Sequence, residues 1–289
     1  MSRARPTCCS CSLPVLTEAV GSVRIATWNV NSMRARLDRV EEWLAEVQPD
    51  VCCFQETKLA DDAFPVDRFE NLGYETAHHG DGRWNGVAIA SRVGLTDVER
   101  DFAGRGETDD DAEPRLISAT CDGVRVMSVY VPNGRAVESE HFQAKLAFLH
   151  HLRQHLDATC DPRDAVAVCG DFNVAPDDID VFDPAFFVGA THVTRSEREA
   201  LAEVLGFGLT DVFRACYPGI PRLFSWWDYR AGDFHSGRGM RIDLVLATRV
   251  LADQVSFALI DRNARKGKQP SDHAPVVVDV WRPTSRSTA

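Results

Sequence analysis

Short apolar runs recur along the whole chain, and they narrow the fold more than any other feature. Residues 23–30 (VRIATWNV), 49–54 (PDVCCF), 86–91 (GVAIAS), 165–169 (AVAVC), 241–247 (RIDLVLA) and 274–280 (APVVVDV) are rich in valine, isoleucine, leucine and alanine. Runs of about four to eight such residues, bounded by turn formers, read as buried strands. Segments of helical period lie between them. In residues 34–47, Leu37, Val40, Trp43, Leu44 and Val47 share one face, behind Asn31 and Ser32 as N-caps. Residues 138–157 form a long amphipathic helix, and 196–205 a shorter one with Ser196 and Glu199 at capping-box spacing. Residues 115–121 and 124–131 alternate across a close turn, which predicts antiparallel strands. Helices mixed with central hairpins favour an α/β fold of two sheets flanked by helices over a doubly wound sheet.

At 289 residues the chain can form one large domain, and no repeat, low-complexity block or linker divides it. The acidic stretch 104–114 is too brief for a linker and reads as a surface insertion. Residues 1–22 lack core periodicity and the apolar core of a secretory signal. They are expected to be a disordered extension, followed by a single domain over 23–284 and a tail over 285–289. No run approaches the ~20 apolar residues of a membrane span, so no membrane partner is expected. The nine cysteines are odd in number and mostly inside apolar runs, which reads as reduced thiols in a cytoplasmic protein. Cys8, Cys9 and Cys11 lack the second ligand pair of a zinc site.

A net charge of −11 argues against indiscriminate nucleic-acid binding. Two local clusters run the other way: Arg34, Arg36 and Arg39, then Arg262, Arg265, Lys266 and Lys268. Each adjoins a loop with candidate catalytic residues. The pairs His78–His79 and His150–His151 read as surface or helix-face residues.

Polar groups gather where the apolar runs end. Asn29 closes the first strand, Glu56 follows the second, Tyr130 lies near the end of another, and Asp171 and Asn173 follow residues 165–169. Asp243 interrupts an apolar run, and Asp272 and His273 precede the last one. A single instance would be a cap or a satisfied core group; the repetition points to a site. Carboxylates and amides with one histidine suit a hard cation such as Mg²⁺, which keeps waters and accepts phosphate oxygens. Softer metals would call for thiolates or several histidines. A phosphoester substrate follows, and the lack of a Walker loop argues against nucleoside-triphosphate chemistry of that type.

The segments ATWNVNSMRAR, FQETK, VYVPNGR, CGDFN, FSWWDYR, GMRIDLVLA and PSDHAPV follow one another along the chain. In these, from about Val23 to about Trp281, the chain resembles the exonuclease III-type abasic-site endonucleases. GDFN and SDHAPV are shared with a wider superfamily of nucleases, sphingomyelinases, inositol-phosphate phosphatases and deadenylases. QETK, FSWWDYR and RIDLVLA are more selective for the DNA-repair branch.

The resemblance implies a four-layer αββα sandwich, two sheets face to face with helices outside. It implies Mg²⁺, with Mn²⁺ able to substitute, at Glu56 assisted by Asn29 and Asp272. It makes Asp171 the base, with Asn173 beside it, puts Tyr130 and His273 on the scissile phosphate, and pairs Asp243 with His273. Trp226, Met240 and Ile242 would wall a pocket for a flipped-out abasic sugar; plain core packing is the competing reading, and for Ile242 alone the first one. Met240 stands where relatives carry tryptophan or leucine. Asn31, Arg115 and Asn133 match positions that contact DNA phosphates, and Lys266 and Lys268 join them from the basic cluster.

The implied activity is hydrolysis 5′ to abasic sites in double-stranded DNA, with 3′→5′ exonuclease or trimming of blocked 3′ ends as a second capacity. A cytoplasmic, nucleoid-associated monomer is expected. Two readings compete: a phosphodiesterase or phosphatase of RNA, lipid or inositol phosphates, and a non-catalytic nucleic-acid-binding relative. FSWWDYR weighs against the first. Glu56, Asp171, Asp243, Asp272 and His273 weigh against the second, because a binding module needs neither a base nor metal carboxylates.

Overall fold

A computed structural model describes residues 21–103 and 113–282. The expected extension up to residue 20, with Cys8, Cys9 and Cys11, lies outside the described residues, as do most of the acidic stretch and the residues after 282. In chain order the strands are β1 (Gly21–Asn29), β2 (Val51–Gln55), β3 (Glu75–His79), β4 (Val87–Ser91), β5 (Thr96–Arg100), β6 (Leu116–Cys121), β7 (Val124–Tyr130), β8 (Val166–Asp171), β9 (Leu209–Asp211), β10 (Asp243–Thr248), β11 (Val255–Ile260) and β12 (Val276–Arg282). The helices used below are α1 (Met33–Val47), α2 (Val66–Glu70), α3 (Glu140–Thr159) and α4 (Arg195–Leu205). No helix among the described residues is long and apolar enough to cross a membrane.

The strands form two six-stranded sheets, ordered β11-β12-β1-β2-β4-β3 and β5-β6-β7-β8-β10-β9. Each contains one parallel pair, β1 with β2 and β7 with β8, and the other pairings are antiparallel. A parallel pair needs a crossover, and α1 and α3 supply them. The fold is the expected two-sheet α/β sandwich, and three apolar layers account for it. Val23, Ile25, Val126, Cys169, Val245, Val276 and Val278 pack between the sheets. Trp28, Val40, Trp43, Phe54 and Phe69 join α1 and α2 to the first sheet. Val129, Leu149, Leu152, Val168, Leu201 and Leu244 join α3 and α4 to the second. Strands covered on both faces carry unbroken apolar runs rather than alternation.

The pleat fixes the register. In β12, Val276, Val278 and Val280 face the other sheet, while Asp279 turns outward to Arg24 at 2.7 Å. A slip of one residue would drive Asp279 between the sheets. Gly170 allows the close approach of β7 and β8 beside Asp171: a Cβ there would lie 2.0 Å from the Val129 carbonyl oxygen.

Three expectations shift. β1 starts at Gly21, two residues before Val23, with Gly21 paired with Arg282 and Ser22 with Trp281. The capping box of α4 joins Thr194 and Glu197, not Ser196 and Glu199. Thr194 is the last extended residue and its hydroxyl accepts the Glu197 N–H, whereas Ser196 already lies in the first turn. The edge strands β3, β5 and β9 were not expected at all.

Candidate active site

The two crossover units end their parallel strands at one edge of the sandwich, where the sheets meet. From the first sheet, Asn29 closes β1 and Glu56 follows β2. In the second, Tyr130, Asp171 and Asp243 stand in one row, paired across β7, β8 and β10. Asn29 joins the sheets: its Nδ2 donates to Glu56 Oε1 and to Asp171 Oδ2, both at 2.9 Å.

His273 enters just before β12, fixed through its backbone. Its N–H donates to Ser271 Oγ at 3.2 Å, Ser271 donates in turn to the Asn29 carbonyl at 2.7 Å, and the Trp28 indole N–H reaches the His273 carbonyl. The ring lies between two carboxylates. Nδ1 is 2.8 Å from Asp243 Oδ2, and Nε2 is 3.7 Å from Asp171 Oδ2. Asp243 is steadied by Ser225, whose Oγ accepts the N–H groups of Ile242 and Asp243 at 3.1 Å each. Asn173, in the left-handed region at φ 50°, donates its N–H to Asp171 Oδ1 at 2.9 Å, which leaves Oδ2 toward the histidine.

Burial and charge set the protonation states. Asp171, Asp243 and His273 are at most 3% exposed. Burial opposes charge on His273, but the Asp243 and Asp171 carboxylates outweigh it and raise its pKa to about 10. Burial pushes Asp171 up to about 7; Asp243 adds to the rise, while His273 and Asn29 oppose it. Burial, then Glu56 and Asp171, raise the Tyr130 phenol well above its ordinary value and keep it a donor.

Oxygens of Glu56 and Asp171 and a ring nitrogen of His273 lie within 4.8 Å of one another. A protonated His273 has no lone pair for a metal, so the donors left are carboxylate oxygens, which suit a hard cation. Lys58 Nζ stands 2.9 Å from Glu56 Oε2, a counter-charge that the sequence reading missed although it closes QETK. Glu56 and Lys58 both have positive φ, at 51° and 53°. Thr57 between them is held by His78, whose Nε2 is 2.7 Å from its hydroxyl. His78 is therefore buried rather than a surface residue, stacked on Phe64, with burial lowering its pKa to about 4.

Two members of the expected metal set have other partners. Asp272 accepts from Asn31 Nδ2 at 2.9 Å and from the Trp226 indole N–H at 3.1 Å, and it is absent from the ligand cluster. His273 turns inward to Asp243 while Asp272 turns to the outer loop. Asn29 presents its amino group to Glu56 because its oxygen already accepts the Asn31 N–H, so it is a strut between carboxylates.

The profile of the Endonuclease/Exonuclease/phosphatase family matches residues 26–273. Exodeoxyribonuclease III of Haemophilus influenzae is 34% identical over 266 residues, covering 88% of this chain and 98% of its own. The chain belongs to the exonuclease III-type branch of that family. Among solved structures, an AP endonuclease from Archaeoglobus fulgidus superposes with a TM-score of 0.84 at 39% identity, over 90% of this chain and 100% of its own. The 3′-5′ exonuclease NExo from Neisseria meningitidis does so at 0.84 and 36%, over 89% and 99%. NExo is also described as a 3′ phosphatase bound to a product DNA hairpin.

Around the centre of this exonuclease III-type chain, the expected DNA-facing residues divide. Asn31 links Lys58 to Asp272. Arg115 stacks on the Tyr130 ring at 4.6 Å, and Asn133 donates to Asn173 Oδ1 at 3.2 Å. Trp226 is half-buried at the surface. Met240 and Ile242 are not: each is 2% exposed and packed with Ala175 and Val181, closed off by Phe187, Val193 and Trp226. Both pack in the core, directly behind Trp226. Lys266 and Lys268 are exposed. The two basic clusters form one surface, because Arg39 donates to the carbonyls of Ala264, Lys266 and Lys268. Arg265 is excluded from that surface, buried with its guanidinium on the Ser271 carbonyl.

Proposed function

We propose that this exonuclease III-type chain is a DNA-repair nuclease that hydrolyses the phosphodiester 5′ to abasic sites in duplex DNA with Mg²⁺ and trims blocked 3′ ends. The observation that carries the reading is the Asp243–His273–Asp171 row facing Glu56. A carboxyl with a pKa of about 7 stands 3.7 Å from an imidazolium that a second buried carboxylate holds. In-line hydrolysis needs a base at the water and positive donors around the phosphate oxygens. Asp171 Oδ2 takes the water proton, and a pKa near neutrality makes it a stronger base than an ordinary carboxylate while leaving a large ionised fraction. Asn173 holds Asp171 Oδ1 and so selects the oxygen that does this. His273 Nε2–H and the Tyr130 hydroxyl donate to non-bridging phosphate oxygens. Glu56 would hold Mg²⁺, or Mn²⁺ in its place, oriented by Asn29; the ion would supply charge that polarises the phosphate and stabilises the leaving oxygen.

Support for DNA as the substrate comes from the names of the relatives and from the basic surface of Arg34, Arg36, Arg39, Lys266 and Lys268 beside the centre. Trp226 offers an apolar wall for a sugar that lacks its base. The 3′-phosphatase description of NExo favours 3′-end trimming as the second activity. The reading includes a cytoplasmic, nucleoid-associated monomer. Labelled duplexes with one abasic analogue or a 3′-phosphate at a nick, compared with RNA and inositol phosphates in Mg²⁺ and in EDTA, test it. Cleavage of the first two only, abolished by EDTA, is expected. Turnover of RNA or inositol phosphates with an intact abasic duplex would overturn it.

A further inference from the structure

A buried charge pair lies directly behind the Asp171 turn, and the chemistry above leaves it unused. Lys145 of α3 and Glu197 of α4 are both fully buried, with Lys145 Nζ 2.5 Å from Glu197 Oε1. Apolar side chains can pack two helices without the desolvation that a buried ion pair suffers. The hydrogen bonds of this pair point at the active centre. Lys145 Nζ donates to the Asn173 carbonyl at 2.6 Å, the Asn133 carbonyl at 3.2 Å and Thr191 Oγ1 at 3.2 Å. The Thr191 hydroxyl and the His192 backbone N–H donate to Glu197 Oε1 at 2.6 and 2.8 Å. His192 Nδ1–H reaches the same Asn173 carbonyl at 2.5 Å.

Two loops that carry site residues thus converge on one ammonium. Asn173 holds Asp171 Oδ1 through its N–H and receives the Asn133 side chain. The fit leaves no slack: a Cβ on Gly134 would lie 2.8 Å from Thr191 Oγ1 and 3.1 Å from Lys145 Cδ. Several acceptors meet at one point, and a lysine ammonium has three donors to satisfy them where no neutral side chain does. Glu197 cancels the charge, so the centre gains no net cation.

We infer that Lys145 and Glu197 are positioning residues for the reaction. By clamping the carbonyls of Asn133 and Asn173 they hold the left-handed turn that aims Asp171 Oδ2 at the water. The inference rests on the proposed nuclease reading, and its test is built to separate the two.

The double variant Lys145→Met/Glu197→Gln removes both charges and the ammonium donor without leaving an unpaired charge in the core. Lys145→Gln/Glu197→Gln removes both charges but keeps an N–H donor. With melting followed by circular dichroism to confirm folding, the first is expected to lose kcat on the abasic duplex roughly 10- to 100-fold at unchanged KM, the effect of a small misplacement of the base. The second is expected to recover part of that loss. Wild-type kcat in a folded first variant would overturn the inference. Should neither double variant fold, Thr191→Val keeps the volume while removing the hydroxyl that bridges the pair, and wild-type kcat there would overturn it equally. Failure of the wild-type protein to cut any abasic duplex would count against the nuclease reading instead. The positioning claim would then be read from the Asn173 and Asp171 backbone resonances of the same folded variants. They are expected to move, and resonances identical to wild type would sink the clamp.

Discussion

Replacing Asp243 with asparagine isolates the electrostatics of the centre. Asp243 is 1% exposed and 2.8 Å from His273 Nδ1. His273 has a pKa of about 10 in place of 6.5, against the opposing effect of its burial. That difference is worth ~5 kcal/mol of preference for the imidazolium. It comes from Asp243 first, through charge and hydrogen bond, then from Asp171 and Asp272. Losing the Asp243 charge removes the largest of these raising effects, so the His273 pKa is expected to fall by roughly a unit or more, each unit being worth about 1.4 kcal/mol. Asparagine has nearly the same volume, and the Ser225 bonds are to backbone N–H groups that it keeps. The alkaline limb of the pH–rate profile is expected to move roughly a unit or more toward lower pH, with turnover down roughly 100-fold or more as His273 loses its charge and orientation. Because the folded pKa is raised, the stability His273 contributes is fully present below about pH 6.5 and is lost as pH rises through about 10. In the variant that loss begins at lower pH. Titration of His273 by NMR in both proteins, beside kcat against pH, makes the measurement. Equal His273 pKa values would refute the pairing whatever happened to activity.

Asp171→Asn removes the base with little change of shape, so cleavage should fall by at least ~100-fold while DNA affinity by fluorescence anisotropy stays near wild type; near-normal turnover would assign the water to another group. Glu56→Ala should weaken Mg²⁺ binding in calorimetry and lose activity that high Mg²⁺ partly restores, and unchanged metal affinity would remove Glu56 from the metal site. Lys266→Ala/Lys268→Ala should flatten the slope of log K against log salt by roughly 1.8 if each lysine neutralises one phosphate. An unchanged slope would take that loop out of the interface.

The chain's own pattern determined the two-sheet sandwich and much of the centre, because both depend on local information. Apolar runs mark strands by their period, and a carboxylate or amide at the end of such a run stands out wherever it falls. Asn29, Glu56, Tyr130, Asp171, Asn173, Asp243 and His273 were legible in this way. The edge strands β3, β5 and β9 were not: every residue of β5 is exposed, so no apolar run announces it. Partner choice was also beyond local reading. Asp272 and His273 are neighbours in sequence, yet one bonds Asn31 and Trp226 and the other Asp243. Met240 and Ile242 carry the same apolar signal whether they face a ligand or a core, and their burial with Ala175, Val181 and Trp226 is visible only in the packed structure. Lys145 and Glu197 read as ordinary charged helix residues, since nothing near them in sequence shows that they meet 52 positions apart behind Asn173. Such pairings exist only after α3 and α4 have packed on the second sheet, because a buried charge finds its partner through contacts that no neighbouring residue encodes.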